Sequence, residues 1–503
     1  MELSETLGSD DAIIDGVLSE FLPLCAIPHP SHREEAIARY LARRLTERGW
    51  TVERDEANNL KVEIPAVPGH ENTPLVALQG HTDMVCAVLR GSGWKPEADP
   101  VTAVREGDTL RTDGRSSLGA DCNMGNAAVL WLLTRPIPHG PLRLLLTSAE
   151  EVGLEGAARL DPAWLNGVKY LINTDGFKLG DLIVSSAGGR RETYTRPLDT
   201  VLRRNKTAFR LTLTGFLGGH SGYDINLGRA NPLKLMALVL GELRDTVDYE
   251  LADLTGGHGH NSIPMDCSAV IVIDDLFVPE LARAVAHISE SLGALYGRRD
   301  PKGRVELAEV APPERVWTSA CRDAALDLLS LLYTGVYAMH DRIPNRVSAS
   351  SNLGMVAVEN GNIVVRAFLR CTIGFSEEII AFQHARAARS TGFSQTAVGY
   401  PGWPGDDSNP LARRMSRIYR RITGHRARIT AVHVGLEPSV LAAKNPDMVM
   451  VNTGPDIFNP HSTDEHVRLS SLPPYVRLLA ATLAELAGES VGDDQTKRKR
   501  KKV

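Results

Sequence analysis

The chain has 503 residues, 43% of them hydrophobic, with 56 Lys and Arg against 61 Asp and Glu and a formal net charge of −5. That length suits two or three domains with cores of their own, and the composition excludes a collagenous, low-complexity or largely disordered chain. Six cations are consecutive, Lys497 through Lys502; without them 50 cations face 61 anions, a net charge of −11, so the body is a poor binder of nucleic acid.

The six cysteines (Cys25, Cys86, Cys122, Cys267, Cys321 and Cys371) are scattered and form no C-x-x-C pair. Neither a zinc ribbon nor a disulfide scaffold is indicated. The start, MELSETLGSDDAII, is acidic where a signal peptide is cationic and then apolar. No apolar stretch approaches the ~20 residues of a membrane span. The expectation is a cytoplasmic protein with no membrane partner.

In chain order, Ser31-His32-Arg33-Glu34 reads as a capping box, and Ile37, Leu41 and Leu45 follow at helical spacing with Gly49 as a stop. Strand-like WTVERD and LKVEIPA come next, then a buried-looking strand, Leu75 to Leu78, that runs into QGHTDM. AAVLWLL (127–133) is expected to be helical. LRLLLT (142–147) is a strand ending in SAEEVG, and YLINTD (170–175) is a strand ending in an acid. Strands alternating with helices predict an α/β domain, a mostly parallel sheet with helices on both faces. Ligands of such sheets gather beyond the carboxyl ends of the strands.

After about Gly189 the texture changes. RRETYTRPLD and TAFRLTLTG alternate polar and apolar residues, as a sheet with one wet face does. Asn231-Pro232 opens an apolar helix, and a further strand (AVIVIDDL) and helix (PELARAVAHISESL) follow. From YPGWPGDDSNP the first texture returns. The expected organisation is a first domain made of residues 1–190 and 395–488, interrupted by an α+β insertion at 191–394. A disordered basic tail at 489–503 completes the chain.

Five places put acids or histidines just past an expected strand or far along the chain: His81-Thr82-Asp83, Asp121, Glu150-Glu151, Asp175 and His461. Any one of them is common in solvated loops. Four at one address on one sheet point to a metal site. A catalytic zinc takes three protein ligands and keeps a position open. Asp121 with His81 and Asp175 gives one ion three ligands, and the same Asp121 with Glu151 and His461 gives a second ion three. Nitrogen and oxygen donors suit zinc, manganese or cobalt and do not choose among them. Asp83 either orients the His81 imidazole or forms a turn. Adjacent side chains on extended backbone point opposite ways, so Glu151 is expected to bind metal and Glu150 to act as general base.

The segments QGHTDM, SLGAD, TSAEEVG, INTD, GGHSG and NPHSTDEHV, in that order, resemble the M20 family of di-zinc peptidases. CAIPHPSHREE, NSIP (261–264), YPGW (400–403) and HVGLE (433–437) add to the likeness. Within the family the chain is most similar to the bacterial cytosolic aminoacyl-histidine (Xaa-His) dipeptidases, over roughly residues 20–485. The resemblance implies two zinc ions per chain, bridged by Asp121, with Asp83 as supporting acid and Glu150 as base. It implies a catalytic domain interrupted by a lid, a homodimer formed through that lid, and unblocked dipeptides as substrates. It also implies that His220 in GGHSG, Asn261 in NSIP and Arg370 in AFLRC hold the substrate's carboxylate and steady the oxyanion.

Two departures stand out. Cys122-Asn123-Met124-Gly125 follows Asp121 where the family more often has Asn-Gly, which adds a thiol beside the expected metals. Gly176-Phe177 follows Asp175 where the family tends to have more acids. Two rival expectations stay open. One is N-acyl-amino-acid deacylation or carboxypeptidase action on the same metals; the other is an inactive binding or scaffold protein.

Overall fold

The computed structural model describes residues 3–244 and 246–489, so the cationic run and the expected basic tail beyond 489 lie outside the described residues. The chain divides into two compact units. One comprises the chain up to Ser186, Trp403–Ala431 and the chain from Gly435 on; the other comprises Ala187–Gly402 and Val432–Val434.

The first unit holds an eight-stranded sheet. Its order is Thr51–Arg54, Leu60–Ile64, Leu142–Thr147, Leu75–His81, Val168–Asn173, Val449–Asn452, Asp181–Ser186 and Arg428–Val432. The four strands from Leu142–Thr147 to Val449–Asn452 are mutually parallel. The strands Thr51–Arg54, Leu60–Ile64 and Asp181–Ser186 add antiparallel. The parallel character expected from the sequence thus resides in the centre. Six successive residues of Leu75–His81, from Val76 on, are buried, so both faces of that strand are covered. This is why its sequence is a continuous apolar run.

Helix Glu35–Glu47 buries Ile37, Ala38, Leu41 and Leu45, the expected stripe, and the chain leaves it through Gly49 at φ +83°. The expected capping box does not form. Glu34 is the N-cap and caps with no side-chain bond. The Ser31 hydroxyl instead donates to Asp83, and Glu34 accepts the backbone N–H groups of His32 and Ala149. Long-range partners have outcompeted the local motif. The strand expected at 170–175 ends at Asn173, which leaves Asp175 on the turn beyond it.

The second unit is built on a nine-stranded sheet whose strand pairings are antiparallel. Thr207–Thr214 alternates buried and wetter positions over much of its length, as expected for a sheet with one wet face. Helices Pro232–Arg244, Val278–Tyr296 and Ser319–Leu331 contribute to one core with Tyr194, Leu211, Tyr249, Leu254 and Ile271 of the sheet. Asn231 accepts the N–H groups of Leu233 and Lys234 and so opens the first of these helices. The expected boundary at 394 falls too early. Strand Ser394–Tyr400 pairs with Gly188–Pro197, which keeps it in this sheet and carries the second unit to Gly402. No helix among the described residues is long and apolar enough to cross a membrane.

Candidate metal centre

His81 is the last residue of the central strand Leu75–His81. Glu150 and Glu151 follow the neighbouring strand Leu142–Thr147, and Asp175 follows Val168–Asn173 on the other side. Three parallel strands therefore deliver their loops to one edge, as the topology requires. Asp121 comes from the start of helix Ala120–Leu132, where Asp121 and Cys122 depart from helical φ/ψ. Two glycines let these parts approach. A Cβ on Gly125 would lie 2.3 Å from the Thr174 carbonyl oxygen, and one on Gly80 would lie 2.3 Å from Asn126 Oδ1.

His461 arrives from far along the chain with a left-handed φ of 63°, and Ala149, just before the Glu150-Glu151 pair, has φ 47°. Non-glycine residues enter this region at a cost of order 1–3 kcal/mol, and such strain collects at functional sites.

The two carboxylate oxygens of Asp121 face different partners. Oδ2 is 2.9 Å from His461 Nε2, which is also 2.9 Å from Glu151 Oε1. Oδ1 is 3.2 Å from His81 Nε2, which lies 3.7 Å from Asp175 Oδ1. Asp175 Oδ1 is buried and, among the described residues, has no hydrogen-bond partner. Such an orphan is costly unless a ligand satisfies it. The side chains of His81, Asp121, Glu151 and Asp175 are at most 7% exposed while that of His461 is 46% exposed, so the cluster opens to solvent on the His461 side.

Asp83 lies two residues beyond His81 and is fully buried. Its backbone carbonyl is 3.0 Å from His81 Nδ1 and its carboxylate 3.5 Å. A proton on Nδ1 leaves Nε2, on the side of Asp121 and Asp175, with a lone pair that can ligate a metal. The carboxylate also accepts the N–H groups of Glu150 at 3.0 Å and Glu151 at 3.2 Å and the Ser31 hydroxyl at 2.8 Å. Burial works against its charge, but these contacts hold its pKa below the ordinary carboxylate range.

The other acids are short of positive charge. Burial first, then the charge of Glu151, pushes the Glu150 carboxyl well above its usual range; burial and Asp121 do the same to Asp175. Burial opposes the charged form of His461, yet Asp121 and Glu151 raise its pKa to about 10. Without a cation the cluster must hold extra protons. The donor set therefore fits divalent ions, and His81, Asp121 and Glu151 have ligand atoms within 4.8 Å of one another.

Two supporting acids escaped the sequence reading. Glu465 accepts four successive backbone N–H groups, those of Leu118, Gly119, Ala120 and Asp121, at 2.8–3.1 Å. Burial first, and then the Asp121 charge, raises its pKa to about 7. Glu437 accepts from Thr147 at 2.8 Å and from Gln79. Gln79 in turn accepts from Asn173 at 2.6 Å, and Asn452 donates to Asn173 and to the Asp175 carbonyl. A buried polar row thus crosses the parallel strands one layer beneath the expected ligands. Its signal in the sequence was a polar residue at or near the end of each apolar strand: Gln79, Thr147, Asn173 and Asn452.

The three expected substrate residues lie in the second unit. His220 pairs with Ser262 on short strands, and the Asn261 carbonyl accepts the Ser221 N–H at 2.9 Å, which sets the two segments side by side. Arg370 on strand Asn362–Cys371 donates to Ser221 Oγ at 3.1 Å and lies 3.4 Å from His220 Nε2. Its guanidinium stacks on Phe368 at 4.4 Å. Arg370 is buried, yet among the described residues no carboxylate forms a salt bridge with it. A buried cation in that state suits an anionic ligand. Asn261 is exposed.

The chain is 33% identical over 469 residues to the cytosol non-specific dipeptidase of Escherichia coli (strain K12), covering 93% of this chain and 96% of that protein. The crystal structure of aminoacylhistidine dipeptidase from Vibrio alginolyticus superposes with a TM-score of 0.85 at 31% identity, covering 96% and 98% of the two chains. Human carnosine dipeptidase 1 shares the fold at 14% identity, with a TM-score of 0.52 and coverage of 97% and 100%. The model of peptidase family M20/M25/M40 matches residues 77–485, and the chain belongs to that family.

Proposed function

We propose that the protein is a metal-dependent dipeptidase that cleaves unblocked dipeptides, Xaa-His among them. The observation that carries this reading is the placement of Asp121, with one oxygen toward His81 and Asp175 and the other toward His461 and Glu151. In this reading His81, Asp121 and Asp175 hold one divalent ion, and Asp121, Glu151 and His461 hold the second, with zinc as the expected metal. Bound there, the ions supply Lewis acidity toward the scissile carbonyl and lower the pKa of an attacking water towards ~7.

Glu150 takes the proton of that water and later delivers it to the leaving amine. Burial and the Glu151 charge push its carboxyl above the usual range, the direction expected of a group that must hold a proton between its two transfers. Asp83 fixes the backbone of Glu150 and orients His81. In the second unit Arg370 supplies a donor fork for the substrate's carboxylate, and His220 and Asn261 supply neutral donors for the developing oxyanion. The names of the Escherichia coli and Vibrio relatives support dipeptides as the substrate class, and that of the Escherichia coli relative supports the cytosol as the compartment. A homodimer through the lid is the expected assembly, which gel filtration with light scattering reads directly.

The decisive variant is Glu150→Gln. With its metal content intact it should retain less than about a hundredth of the hydrolysis rate, the lower bound for losing a positioned base. Full activity would remove Glu150 from this role.

A further inference from the structure

Outside the seven positions above, Cys122 also borders the centre. Cys122 follows Asp121, is 1% exposed, and forms with His81 and Asp175 a second group whose ligand atoms all lie within 4.8 Å of one another. Zinc bonds of about 2.0–2.3 Å put neighbouring tetrahedral donors roughly 3.3–3.7 Å apart, so a trio this close needs only small side-chain adjustment to share an ion. Asp175 brings its orphaned, buried Oδ1 to the same group. The thiol has little structural work there. Its hydrogen-bond acceptor is the His81 carbonyl oxygen at 3.6 Å, which the Asn126 amide already serves.

We propose that Cys122 is a ligand of the ion held by His81, Asp121 and Asp175, an inference that rests on the two-ion reading above. As the ion binds, the S–H bond breaks, its proton passes to solvent, and the sulfur electron pair forms the bond to the metal, with no change of oxidation state. The two positions then differ in kind. With Cys122 added to His81, Asp121 and Asp175, the His81 position would have four protein donors, the closed set of a retained ion, whereas the His461 position would have three and stay open. Sulfur also favours zinc over manganese at the closed position, a choice that nitrogen and oxygen donors leave unmade.

Cobalt(II) loading of the full chain tests this by absorption. The expected result is a near-ultraviolet sulfur-to-cobalt charge-transfer band beside the visible ligand-field bands. Cys122→Ser should lose the near-ultraviolet band and keep the visible ones, and Cys86→Ser, which alters the half-buried thiol near Asp83, should keep both. Visible bands without the charge-transfer band in the unaltered protein would overturn the Cys122 assignment and leave the metal centre standing. Persistence of the band in Cys122→Ser, or its loss in Cys86→Ser, would also overturn it. Absence of both sets of bands would overturn the two-ion reading and this inference with it.

Discussion

Asp83 Oδ1 accepts the backbone N–H of Glu150 at 3.0 Å, while Asp83 Oδ2 takes the next N–H, that of Glu151. One buried carboxylate therefore ties the loop after the His81 strand to the loop that carries the proposed base and a proposed ligand. Asp83→Asn would turn an amide N–H₂ toward donors. Its kcat should fall at least about tenfold, as loss of an outer-sphere partner does, with KM little changed. Steady-state kinetics at constant metal content reads this; an unchanged kcat would reduce Asp83 to a turn residue.

Glu465 bears on metal retention. Its carboxylate holds the four N–H groups that lead into Asp121, so Glu465→Gln should release that segment without removing a ligand. Chelator competition should show ion affinity weakened by about 10–100-fold. Affinity equal to that of the unaltered protein would mean that the loop holds itself.

Three of the proposed ligands, His81, Glu151 and Asp175, drew attention in the sequence because they stand at or just past strand ends, where apolar runs stop abruptly; Asp121, at a helix start, and His461, far along the chain, carry no such mark. Burial confirmed the helix of Ile37, Leu41 and Leu45 for the same reason: periodicity reports one covered face. The supports were not legible. Ser31 and Glu34 have the spacing of a capping box, yet their side chains are spent on Asp83 and Ala149, across 52 and 115 residues of chain. Local spacing carries no information about such partners. Glu465 lies four residues beyond His461, and nothing in HSTDEHV distinguishes a clamp on a distant helix from a solvated acid.

Arg370 carries the prediction about substrate form. If its buried guanidinium grips the free carboxylate, dipeptide acids should outrun dipeptide amides. Arg370→Met should erase that preference, at about 10–100-fold in kcat/KM for the acid. Equal rates on acid and amide in the unaltered protein would detach Arg370 from substrate binding. An N-acetylated series in the same assay separates the dipeptidase from an N-acyl-amino-acid deacylase, which would favour the blocked compounds.

Glu437 gives a pH dependence of stability. Burial first raises its pKa from 4.5 to about 7, against the lowering effects of His81, Thr147 and Gln79. The folded state therefore holds this proton more tightly than the unfolded chain. The resulting stabilisation is fully present below about 4.5 and is lost as pH rises through about 7. For a fully buried group this is worth about 3 kcal/mol. Urea unfolding of the chelated protein at pH 5 and pH 8 should show a smaller difference in Glu437→Gln than in the unaltered chain. An identical difference would place the pH dependence elsewhere.

The most direct test of the two-ion centre is metal analysis of the purified chain, repeated after chelation and reloading with zinc. Two divalent ions per chain, with dipeptide hydrolysis lost on chelation and regained on reloading, is the predicted result. A metal content near zero in protein that still hydrolyses dipeptides would contradict it.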